Sequence, residues 1–189
     1  MHMVIGAVVY AHNEEEALNK ARNTFERLCG EGQAFDYYVL FDEDLPMSGK
    51  NRWGNLPTVV RADSPEGKRL IDSRMRATKS EFMQDMAEIR KGLLNLTDEE
   101  LFNEELGPNA IAIRALDQSE HIGFSYDPSM IKFSMRQVGA YVGPSVYLYD
   151  NDGGGIRTPR HLNNVLNKWD NANEYKDLDV FVVPADVHH

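Results

Sequence analysis

The chain has 189 residues, 42% hydrophobic and 26% charged, with a formal net charge of −10 from 30 acidic and 20 basic side chains. That length suffices for one domain with its own core, and the composition is that of a globular protein. The acidic excess excludes a general nucleic-acid binder, which needs a basic face to displace counterions, and suits a salty cytoplasm or a cation-binding surface.

"MVIGAVVY" (residues 3–10) is β-branched and apolar, and predicts a buried strand. It is too short to span a bilayer, and no charged, cleavable leader precedes it. Asn13 caps a helix: glutamates fill its first turn, Ala17, Leu18, Ala21, Phe25 and Leu28 recur at helical spacing, and Gly30 ends it. "FDYYVLFDED" (35–44) predicts a second strand, apolar on both faces, so the chain opens β-α-β. Residues 45–57 hold two prolines, two glycines and no periodicity. They predict a long loop, either functional or a surface excursion pinned by Trp53. "TVVRA" (58–62) reads as a short strand, and Ser64-Pro65-Glu66 starts a helix reaching about Leu94. Ile71, Met75, Thr78, Phe82, Met86, Ile89 and Leu93 give that helix one apolar stripe. Thr97 and Glu100 make a capping box for a shorter helix. Residues 110–116 and 122–126 suggest a hairpin, and Asp127-Pro128 opens a helix that breaks at residues 139–144. "SVYLYD" (145–150) predicts a strand, Thr158-Pro159 a helix start and "DVFVV" (179–183) the last strand. The fold expected is α+β, a mixed α/β sandwich forming one domain over residues 1–189. Helices pack on a sheet of five to seven strands, with a long central helix.

Chemistry concentrates in "YLYDNDGGGIRTPRHL" (147–162). A glycine loop between a strand and a helix start offers backbone N–H groups and positive potential to a phosphate. Gly153, Gly154, Gly155, Arg157 and Thr158 are the phosphate-binding candidates, although three glycines after Asn-Asp also suit a plain tight turn. The spacing matches neither the P-loop nor the dinucleotide fingerprint, and His161 stands where an EF-hand needs glutamate. Asp42 and Asp44 end one strand, and Asp150 and Asp152 end another. If those strands are neighbours, the four carboxylates would suit Mg²⁺ or Mn²⁺. Lys68, Arg69, Arg74, Arg76 and Lys79 read as a solvated helix face or a local anion patch.

Other chemistries find little. His12, His121 and His161 are isolated, and the terminal His2, His188 and His189 read as flanking remnants without weight as ligands. Cys29, the single cysteine, excludes an internal disulfide, fits a cytoplasmic setting, and sits at a helix C-terminus, where the dipole disfavours a thiolate.

"VVYAHNEEEAL" resembles the opening strand and turn of family-2 glycosyltransferases, and "VLFDEDLP" is similar to their second strand. The resemblance covers about forty residues. It implies a nucleotide-sugar at the first turn and a later Asp-x-Asp metal site; residues 65–106, which read as helix, depart from that pattern. The favoured reading is a non-catalytic domain acting through self-association, as a homodimer, or through a protein partner. The competing reading is a metal-dependent enzyme or binding protein for a phosphorylated ligand. Neither engages general nucleic acid or membrane.

Overall fold

The elements follow one another as β1 (His2–Ala11), α1 (Glu14–Leu28), β2 (Tyr37–Leu40), α2 (Gly49–Trp53), β3 (Val60–Arg61), α3 (Pro65–Asn95), α4 (Asp98–Asn103), α5 (Pro128–Gly139), β4 (Leu148–Tyr149), α6 (Pro159–Leu166) and β5 (Asp179–His188). The computed structural model describes residues 1–41, 49–107, 111, 127–168 and 173–189. Two units divide the chain, Met1–Lys79 with Tyr141–His189, and Ser80–Ala140.

The first unit is built on a five-stranded mixed sheet, and the fold is α+β as the sequence predicts. β5 lies antiparallel to β1 over the whole length of both, from His2 opposite His188 to Ala11 opposite Asp179. β4 flanks β1 in parallel, while β2 and β3 share the far edge of β5. Alternation along β1 splits the core in two, because successive side chains point to opposite faces. Met3, Ile5, Ala7, Val9 and Ala11 meet Ala17, Ala21, Phe25 and Leu28 of α1. Val8 and Tyr10 join Leu70 and Ile71 of α3 and Val165 of α6. A sheet covered on both faces explains why β1 reads as a continuous apolar run.

β5 runs on to His188, where the sequence predicts an end at Val183. Pro184 looks like a breaker, but β3 pairs at residues 181–182 and β2 at residues 185–188. The proline thus falls in the gap between them, where a missing N–H costs that ladder nothing. β2 is shorter than predicted, and Phe35 instead bridges Cys29. The expected loop at 45–57 contains the short helix α2, and Trp53 is 40% exposed rather than pinned. Arg74 leaves the basic face of α3: its Nη1 donates to the carbonyl of Val4 at 2.8 Å, and burial lowers its pKa. The hairpin expected over residues 110–126 lies, but for Ile111, outside the described residues.

The second unit holds the C-terminal part of α3 with α4 and α5. Ile131, fully buried, lies so close to Gly92 that a Cβ there would meet it at 2.5 Å. Thr97 and Glu100 form the capping box, and Asp127 caps α5 through the amides of Ser129 and Met130. Lys132 Nζ reaches the Glu104 carboxylate at 2.8 Å and the Phe102 carbonyl at 3.3 Å, tying α5 to the end of α4. Among the described residues no helix is long and apolar enough to cross a membrane.

Candidate functional site

β1, β2 and β4 run the same way, so their carboxyl ends share one edge of the sheet, the edge at which open α/β sheets hold ligands. The Asp150 loop leaves β4 at this edge. Asp150 Oδ1 accepts from the amides of Asp152 at 3.0 Å and Gly154 at 2.8 Å, and the Asp150 carbonyl accepts from Gly153 N at 3.1 Å. Three amides of the glycine loop thus point at Asp150. Gly153 has φ +84°, the left-handed geometry that favours glycine. At Gly155 a Cβ would stand 1.9 Å from the Tyr141 carbonyl oxygen. Thr158 Oγ1 accepts from His161 N at 3.1 Å and caps α6. Arg157 lies near enough to Tyr149 to act on its hydroxyl electrostatically. That hydroxyl exchanges hydrogen bonds with the Gly143 backbone, and burial raises its pKa far above the ordinary phenol range.

Asp150, Asn151, Asp152 and His161 border a hollow of about 60 Å³, completed by Tyr10, Val165, Lys168 and Tyr175. That is room for about two waters. His161 Nε2 stands 3.6 Å from Asp150 Oδ2, and Tyr10 stacks on Tyr175 at 4.5 Å while donating to the Val165 carbonyl. Asp42 and Asp44 lie outside the described residues. The strands preceding the two acidic segments are not neighbours: β5 and β1 stand between β2 and β4, three strand spacings or about 14 Å. Among the described residues no three His, Cys, Asp or Glu side chains come together as a metal site.

Beside this hollow, β3, α3, α6 and the start of β5 enclose a larger cleft of about 460 Å³. Arg61 crosses its rim. The guanidinium holds both oxygens of Asp63 at 3.1 Å and also pairs with Asp179, which raises its own pKa and lowers that of Asp63. Sequence reading missed this group. The Arg-x-Asp spacing at 61 and 63 was the only local signal, since Asp179 lies 118 positions away. It also missed Asp186, 1% exposed, which His2 Nδ1 approaches at 3.3 Å and Arg52 Nη1 at 3.0 Å. His2 and His188 are paired strand residues, and His188 stacks on Tyr37 at 5.3 Å. Burial first, and Asp36 second, push the Cys29 thiol up to about 11, which disfavours the thiolate.

The "HNEEEAL" turn that resembles a glycosyltransferase opening is a helix cap. Asn13 Oδ1 accepts from Glu16 N, and Glu16 Oε2 accepts from His12 N, both at 2.9 Å. In the second unit Phe82, Met83, Leu93, Leu94, Phe102 and Phe133 are all exposed, Leu94 by 87% and Phe102 by 81%.

A family model described as a domain of unknown function, DUF7995, matches residues 1–115 and 109–189, and the chain belongs to that family. No curated protein and no solved structure matches it.

Proposed function

We propose that this DUF7995 protein is a non-catalytic domain that acts by self-association through the apolar face of its second unit. The observation that carries the reading is the exposure of large apolar side chains at the end of α3, on α4 and on α5. Single exposed apolar residues are ordinary on a monomer. Here Leu93 and Leu94 end one helix, Phe102 sits on the next, and Phe133 follows the lysine that ties α5 to α4. Methionine and phenylalanine at such density mark contact surfaces. A second copy related by a two-fold axis is the simplest cover, since one patch then buries its own equal.

Light scattering on the full chain in physiological salt tests this. The expected mass at micromolar concentration is that of a dimer. Leu94→Glu with Phe102→Glu, both at exposed positions, should give a monomer with an unchanged helical circular-dichroism spectrum. A monomeric mass for the unmutated chain removes the proposal.

A further inference from the structure

At the end of the sheet where β1, β2 and β5 meet, two imidazoles from distant parts of the sequence come together. His2 of β1 stands directly opposite His188 of β5, and their ring centres lie 4.8 Å apart. The next pair outward, Met1 and His189, shares a backbone hydrogen bond, while the His188 carbonyl turns away to accept from Asp36 N. His2 and His188 are therefore a non-hydrogen-bonded pair, the kind that brings cross-strand side chains closest. Each ring is oriented by a carboxylate. His2 Nδ1 faces Asp186 Oδ1 at 3.3 Å, and His188 Nδ1 faces Asp36 Oδ2 at 2.7 Å. Carboxylates only accept, so in the neutral rings the proton sits on Nδ1 and the lone pair on Nε2. Met1 N, a donor, stands 3.3 Å from His188 Nε2 and agrees with that tautomer. Tyr37 stacks on His188 at 5.3 Å with 9° between the planes, and meets His2 edge-on at 6.0 Å.

We infer that His2 and His188 clamp a divalent transition-metal ion of the zinc class through their Nε2 atoms. Donor type and separation both select this ligand. Imidazole nitrogen suits zinc, copper and nickel, whereas magnesium and calcium take oxygen. Two imidazoles bound to one ion at about 2.0–2.1 Å, at right to tetrahedral angles, hold their ring centres about 5 Å apart. The observed 4.8 Å meets that requirement, so the strands already hold the rings at a chelating separation. Metal-binding histidines give their other ring N–H to a carboxylate or carbonyl, which fixes the tautomer and the ring plane. Asp186 and Asp36 do this here, one for each ring. The side chains of His2 and His188 are 20% and 34% exposed, which leaves an ion a path in from water. With two protein ligands, water fills the remaining positions, and the ion exchanges with solution rather than holding the fold together. All these residues belong to the first unit, and the ion's binding does not rest on self-association.

Calorimetric titration of zinc chloride into the full chain, in a buffer that does not bind metal, tests this. One zinc per chain is expected, and magnesium chloride should give no binding heat. His2→Gln and His188→Gln should each weaken zinc by more than about tenfold. Asp36→Asn, at an exposed position, should weaken it by about tenfold, the usual cost of losing the carboxylate that orients a ligand. His12→Gln and His161→Gln should leave the affinity unchanged. In the unmutated chain, zinc should also move the ring proton signals of His2 and His188 and leave those of His12, His121 and His161 in place, a readout that needs no variant to fold. No zinc binding at millimolar concentration, ring signals of His2 and His188 that stay put, or an affinity that His188→Gln leaves unchanged would overturn the inference.

Discussion

At the scale of single residues, Asp186 is a carboxylate buried in the sheet. Its carboxylate is 1% exposed, and among the described residues His2 and Arg52 answer it. A buried charge loses its hydration and is tolerable only while paired, so removing a partner costs more than the pair contributes. Arg52 is itself 37% exposed at the side chain, which screens the interaction. Arg52→Ala should therefore lower the unfolding free energy by about 2 kcal/mol, under the range for a wholly buried pair. Urea denaturation measures it, and Arg52→Lys should recover part of the loss. An effect within the scatter of ordinary surface substitutions would mean that His2 alone satisfies the carboxylate.

At the scale of elements, the Asp150 loop separates two reasons for a glycine. Gly153 is needed for its backbone angle, φ +84°, whereas Gly155 is needed for space, because the Tyr141 carbonyl and Val146 Cγ1 crowd its Cα. Gly153→Ala should cost about 1 kcal/mol, the usual charge for a left-handed alanine. Gly155→Ala should cost about 3 kcal/mol, since backbone has to move. Thermal or urea denaturation ranks them, and equal losses would contradict the wedge. What the sequence revealed of these elements was local. The caps at Asn13, Thr97, Asp127 and Thr158 are each written within four residues, and all four are present. The alternation that splits β1 between two cores is hidden, because the run from Met3 to Ala11 is apolar on both faces. β5 beyond Val183 was not legible either: Pro184 is harmless only where two edge strands leave a gap, a fact of pairing and not of composition. The candidate site divides likewise. The Asp150 turn follows from its own sequence, while the Arg61 cluster and the Asp186 pair are made by residues that meet only in the fold.

At the scale of the whole molecule, a net charge of −10 works against compactness through self-repulsion. Added salt screens that repulsion, with a Debye length of about 10 Å at 0.1 M falling to about 3 Å at 1 M. The melting temperature should therefore rise as sodium or potassium chloride goes from low to molar concentration. A midpoint independent of salt would show that the local ion pairs offset the net charge. The sheet carries one more consequence. Its central pair joins the first strand to the last, and His2 and Asp186 stand 184 positions apart. On the ribosome, β1 has to wait for all the residues between Ala11 and Asp179 to be translated before its long antiparallel neighbour exists. During that wait a run of ten residues, apolar nearly throughout, has an unpaired edge that invites pairing with other chains. Loop closure over such a distance also slows refolding relative to proteins of local contacts. A message cut short before residue 179 would yield a polypeptide without its middle strand, matter for proteolysis rather than a smaller working protein.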